Sequence, residues 1–358
     1  MILKVCFTYK KAAAVGLLLG GCFLMGCAKF FPAEKEETAA QSESCTREIF
    51  AMDTVMTVTA YGDRAEEAVQ AAEEEIKRLD VLFSVGNASS DIARLNENAS
   101  AVVFGETCEL INRSKELYQS TDGALNIAVY PLMEAWGFTS GEYRVPNQKE
   151  IDAILNCMDV NEISCHENTR EVTLPEDMGI DLGAIAKGYT SAQLMEIFAS
   201  YNITSAIVSL GGNVQALGNK PDGTKWRVAV ENPFLEDGDS YAGILEIKDQ
   251  AVITSGAYER YFEQDGKRYH HIIDPATGYP AENGLVSVTI VSQDGTLADA
   301  LSTALFVMGK ERAISYWKEH ADEFDVILIE DNGDMTITEG LQNCFSSEKE
   351  FFVEKKDQ

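Results

Sequence analysis

Residues 181–212, "DLGAIAKGYTSAQLMEIFASYNITSAIVSLGG", decide the fold. The stretch "AKGYTSAQLMEIFASY" (186–201) reads as a helix, and it feeds "ITSAIVSLGG" (203–212), a buried strand ending in a Gly turn. The opening "DLGAIAKGYT" raises the question of chemistry. It supplies Asp181, a Gly-permitted backbone and Lys187 at a helix N-terminus, whose partial positive charge suits phosphate. Without Lys187 it is a capped helix and nothing more.

Working outward, "TVMTVTAY" (54–61) alternates like a strand, and "AEEAVQAAEEEIKRLDVLFS" (65–84) carries apolar residues at helical spacing. A further helix is expected over 106–123, stopped by Asp122-Gly123, and a buried loop with a short helix over 123–138. Five runs from "WRVAVE" to "LVSVTIVS" suggest an antiparallel sheet. Helices over 296–309 and 310–321 and the strands "FDVILIE" and "DMTIT" close the domain. The mixture is α+β with at least two layers.

The chain has 358 residues, 45% of them hydrophobic and 24% charged, enough for a well-buried core. Its 58 Asp+Glu against 29 Lys+Arg give a net charge of −29, which excludes nucleic acid as a partner. Residues 1–26 are expected to be a lipoprotein signal peptide. Lys4, Lys10 and Lys11 precede an apolar run too short to span a membrane comfortably. The run ends in Leu24-Met25-Gly26-Cys27, a lipobox-like pattern that makes Cys27 the expected lipidation site, with Cys22 as rival. The remainder would then lie outside the cell membrane, anchored by lipid. Residues 27–46 read as a polar tether, 47–345 as the catalytic domain and 346–358 as a loose tail. No C-x-x-C occurs, which argues against a zinc-ribbon or thioredoxin-type site. Cys157 and Cys165 are a candidate disulfide pair that the sequence leaves open.

In "TLADALSTALF", Asp299 and Thr303 stand one helical turn apart on a face expected near water, with Ser302 beside them. A carboxylate and a hydroxyl so placed can both give oxygen to Mg²⁺. Thr254, Ser255 and Gly256 end a strand with small residues that let backbone amides approach a phosphate. His270 and His271 alternate before the rigid Asp274-Pro275 turn, so at most one faces a cleft.

Six blocks together, "DGALNIAVYPLMEAWGF", "DLGAIAKGYT", "SLGGN", "TSGAYERYF", "HHIIDPATGYP" and "ADALSTALFVMG", resemble the FAD:protein FMN transferase (ApbE) family in order and spacing. The likeness runs from about Phe50 to Thr338 and includes the lipoprotein form. It implies a two-layer T-fold-like α+β domain and Mg²⁺-dependent transfer of FMN from FAD to a threonine hydroxyl, with release of AMP. It implies Mg²⁺ ligands at Asp299, Thr303 and the Ala184 carbonyl, with Ser302 where some members have a second acid. For FAD it points to Met52, Ala124, Leu125, Asn126, Asp181, Lys187 and Ile273, with Gly86 and Asn87 in a loop lacking the aromatic of some members. Asn126 stands where other members can carry Asp. His271 and a metal-linked carboxylate such as Asp299 are both candidates for the base. The implied acceptor is an exported flavoprotein, such as a subunit of a sodium-pumping or electron-transfer membrane complex. Two alternatives stand beside it: an FAD pyrophosphatase that uses the same residues with water as nucleophile and gives FMN and AMP, and a flavin-binding lipoprotein without catalysis, against which the Asp299 and Thr303 pair argues.

Overall fold

The computed structural model describes residues 43–234 and 240–356. Cys27, the signal segment and most of the tether lie outside the described residues. The framework is a nine-stranded sheet whose strands stand side by side in chain order. They are Ser44–Ala51, Thr54–Tyr61, Ser205–Leu210, Asn213–Leu217, Ala251–Gly256, Leu285–Ser292, Phe324–Glu330, Met335–Thr338 and Phe352–Glu354. Every neighbouring pair is antiparallel except the last, which is parallel.

Period-two alternation sends the strand side chains to two different cores. Ile253, Val288, Ile290, Val326 and Leu328 face the helix Gly295–Met308 and the largest apolar cluster. Val252, Val291, Ile327 and Ile337 face the opposite way, onto a small sheet built from Trp226–Glu231, Tyr241–Ile247 and Phe345–Ser346. The α+β layering therefore holds, and one part of the sheet is covered on both faces. That cover explains the near-continuous apolar run of Leu285–Ser292. At the other end, the helix Ala65–Phe83 lays Ala68, Val69, Ala72 and Ile76 on Val58, Ala60 and Val208.

Two sequence boundaries change. The tether reading to residue 46 overlaps the first strand, which starts at Ser44 and pairs fully with Thr54–Tyr61. The tail read as loose holds Phe352–Glu354, which pairs in parallel with Thr336–Thr338, and Phe351 and Val353 pack on the Ile337 cluster. Backbone pairing plus these apolar anchors outweigh the surrounding charge. The pairing considered for Cys165 changes as well. Cys165 lies against Cys108, whereas the Cys157 thiol is turned to the Ala153 carbonyl of its own helix.

Candidate active site

The site begins at a gap in the sheet. The strand Ala251–Gly256 pairs along its whole length with Ser287–Ser292. On its other side it meets Asn213–Leu217 only at Ala251 and Val252, so that ladder stops and the strands part. The helix Gly295–Met308 bridges the parting. Asp299 accepts from Asn213 Nδ2 at 2.8 Å on one side. On the other, Ser255 Oγ lies 2.8 Å from Ser302 Oγ and 3.2 Å from Thr303 Oγ1. Thr254 Oγ1 meets Thr289 Oγ1 at 2.8 Å, which ties it into the ladder.

Asp299 is 5% exposed, not on a face near water as the sequence suggests. Its second oxygen accepts from the Gly188 amide at 2.7 Å. The helix Ala186–Ser200 starts at Ile185, whose apolar side chain cannot cap it. Asp299 caps the third amide of that helix from 111 residues away. A carboxylate at that end also meets the positive pole of the helix dipole. The two helices must touch for this to work. A Cβ on Gly188 would lie 2.2 Å from the Gly295 carbonyl oxygen and 2.4 Å from Asp299 Cβ, so only glycine fits.

This arrangement fits a hard cation. The Gly188 amide is committed to Asp299 and not to the Ala184 carbonyl four residues back. Each Asp299 oxygen accepts one protein hydrogen bond, which leaves lone pairs for a ligand. Thr303 is half-buried and adds a hydroxyl. Ser302 differs: it is fully buried and its hydroxyl donates to the Asp299 carbonyl at 2.7 Å, a role inside the helix. Among the described residues no three His, Cys, Asp or Glu side chains cluster as a metal site. An all-oxygen set with one charge suits Mg²⁺ shared with phosphate better than a self-sufficient protein cage.

Around this floor stands a charged rim. Lys187 is half-buried and forms no ion pair among the described residues. Asp181 accepts from the Gly183 amide at 2.8 Å, and its own amide donates to the Ile127 carbonyl. Burial pushes the Asp181 carboxyl up, opposed by the Gly183 amide, Arg260 and Lys187. Glu259 is solvent-accessible yet closely surrounded. That crowding pushes it up to about 7, with Lys187 opposing and Glu231 and Asp299 adding. His271 Nδ1 lies 3.2 Å from the Arg260 carbonyl, which can only accept, so Nδ1 carries the proton and Nε2 is free. Burial first, and Arg260 next, lower His271 to about 3. His270 instead is buried, with Nε2 on the Ala281 carbonyl at 3.1 Å. Of the two histidines only His271 belongs to this rim.

The flavin candidates are distributed around these parts. Met52 sits at a hairpin turn, its amide held by Asp80 at 2.9 Å and its sulfur 4.0 Å from Thr190 Oγ1 in the lysine-bearing helix. Ala124 and Leu125 are buried. Asn126 spends its side chain on the Met158 carbonyl (3.0 Å) and the Ala128 amide (2.7 Å), shaping the loop that also receives Asp181. Ile273 is buried and bridges to Pro280. Gly86 is exposed, its amide on Ser84 Oγ at 3.2 Å, and Asn87 shares that acceptor. Sequence reasoning passed over Asn213, Gly188, Glu259 and Arg260. All four lie in the quoted blocks, but nothing local shows which distant group each one meets.

Fold and site together define an α+β protein whose sheet opens onto a helix-capping carboxylate and a lysine that forms no ion pair among the described residues. The model of the ApbE family matches residues 52–328, and the chain belongs to that family. It is 36% identical over 275 residues to an FAD:protein FMN transferase of Klebsiella pneumoniae, covering 76% of this chain and 84% of the relative. The same-named protein of Treponema pallidum is 33% identical over 301 residues, covering 78% and 83%. Among solved structures, the ApbE protein of Thermotoga maritima superposes with a TM-score of 0.79 at 33% identity, over 86% of this chain and all of that one. The flavinyl transferase ApbE of Pseudomonas stutzeri gives 0.76 at 27%, over 86% and 99%.

Proposed function

We propose that this chain transfers FMN from FAD to a threonine hydroxyl of a target flavoprotein and releases AMP. The observation that carries the reading is Lys187. It is a lysine without an ion pair among the described residues, in a chain of net charge −29, set at the start of the helix that Asp299 caps. Family membership supports the same reading.

Asp299, Thr303 and the Ala184 carbonyl would hold Mg²⁺, which when bound neutralises charge on the pyrophosphate. The chain's own residues do the rest. Gly188 and Asn213 fix both Asp299 oxygens before any ligand arrives. Lys187 donates to a phosphate oxygen. The threonine oxygen attacks the FMN phosphorus, the bond to the AMP oxygen breaks, and the hydroxyl proton passes toward His271 Nε2. That nitrogen is unprotonated at neutral pH because burial and Arg260 keep the ring neutral. The acceptor is an exported flavoprotein, such as a subunit of a sodium-pumping or electron-transfer membrane complex. It is met outside the cell membrane, to which Cys27 anchors the chain.

The test is the mass of a candidate acceptor after incubation with full-length protein, FAD and Mg²⁺. An added FMN, lost in excess EDTA, is expected. Rapid FMN and AMP formation without acceptor would instead establish a pyrophosphatase, and intact FAD after long incubation a binder. Lipid on the N-terminal cysteine of the mature protein, read by mass spectrometry, checks Cys27 against Cys22.

A further inference from the structure

We infer that Cys108 and Cys165 form a disulfide that ties the helix Gly105–Ser120 to the strand Ser164–His166. The two sulfurs lie 2.6 Å apart, closer than non-bonded thiols settle. Their approach does not depend on a covalent bond, because contacts on both sides already hold helix and strand together. Lys115 Nζ donates to the Ile163 carbonyl on one side, and Asn112 Nδ2 lies 3.5 Å from Glu167 Oε1 on the other. The strand is itself fixed, since Cys165 pairs with Val172, which pairs in turn with Ala101. Cys108 is 2% exposed but borders a surface cavity of about 540 Å³ lined by Arg113, Arg170 and Tyr189, an opening through which an oxidant can approach.

The pair reads as a structural bridge and not as an exchange centre. Reactive cysteines have lowered thiol pKa values, whereas burial and then Cys108 push the Cys165 thiol up to about 12. In the bridging step both S–H bonds break and one S–S bond forms. The two protons and two electrons pass to an external disulfide, such as oxidised glutathione or the disulfide of a thiol oxidoreductase, whose S–S bond breaks and which leaves as two thiols. The closed segment, whose ends are 57 positions apart, contains Ala124, Leu125 and Asn126. Closing it in the unfolded chain raises the relative stability of the folded one.

The experiment treats full-length protein with oxidised glutathione, then denatures and alkylates it without reduction before peptide mass mapping. The expected result is a linked Cys108–Cys165 peptide, lighter by two hydrogens, with Cys45, Cys157 and Cys344 alkylated. Alkyl groups on both Cys108 and Cys165, or a Cys157–Cys165 peptide, would overturn the inference. In parallel, dithiothreitol should lower the urea midpoint of the oxidised wild type and leave that of a Cys108→Ala, Cys165→Ala double variant unmoved. A wild-type midpoint indifferent to reductant would also refute it. Neither measurement depends on the flavin chemistry or on where the chain resides.

Discussion

The floor of the cleft and its rim are built on opposite plans. On the floor, Asp299, Asn213, Gly188, Ser255, Ser302 and Thr303 bond to one another at 2.7–3.2 Å. All but one of these groups are neutral, and the single charge is held from both sides. On the rim, Lys187, Arg260, Asp181 and Glu259 crowd one another without any ion pair among them. The floor has its geometry before a ligand comes; the rim gathers charges of both signs without joining any two of these four in an ion pair. The contrast shows how an acidic protein receives an anion. Local arrangement, not net charge, sets the field at short range.

The largest effect should come from breaking the floor. Asp299→Ala removes the charged acceptor, and transfer should fall by ~10²–10³. It also orphans the Gly188 amide and Asn213, at a cost of about 1–3 kcal/mol for each buried donor. Transfer rates across a Mg²⁺ series, with urea unfolding alongside, check both halves. A folded variant of near wild-type rate would reduce Asp299 to a helix cap. Gly188→Ala leaves every chemical group in place but inserts a methyl at 2.2 Å from the Gly295 oxygen. Overpacking of this kind costs about 1–3 kcal/mol. An unchanged urea midpoint would mean that the helices separate freely, and the floor would then not be preformed.

The rim should behave differently. Lys187→Met should raise the KM for FAD by about tenfold or more, the worth of one charged hydrogen bond, with little change in the unfolding midpoint. A loss of stability with KM unmoved would turn the rim into structure. The smallest effect concerns His271, whose folded pKa is lowered from 6.5 to about 3. A lowered value means the unfolded chain takes the proton more readily. The contribution to stability is therefore present above pH 6.5 and lost as pH falls toward about 3. His271→Asn should flatten that limb of the stability curve. An identical acid limb in both proteins would show that His271 is solvated like a surface histidine.

Much of this was legible where pattern repeats. The helix Ala65–Phe83 announces itself by the spacing of its apolar residues, and the strands of the second half by the turn residues that separate their runs. The strand Ser44–Ala51 was hidden because its exposed face carries Ser44, Thr46 and Glu48, which make an edge strand resemble a tether. The burial of Asp299 could have been read from its own helix, where nearly every neighbour is apolar, so no face was left for water. Its partners could not. Asn213 lies 86 residues away, and only the parting of two strands puts it within reach. Proximity in sequence likewise favoured Cys157 for Cys165, whereas the fold brings in Cys108 from 57 residues back.

The chain-order sheet bears on how the molecule comes into being. Each strand of the framework docks beside the one made just before it, so the sheet can grow at a single free edge as the chain emerges. The long stretches between strands are closed excursions that return to the edge they left. No strand must wait for a later one to be inserted between it and its neighbour. Only Phe352–Glu354, running parallel to its partner, is added after everything else is in place.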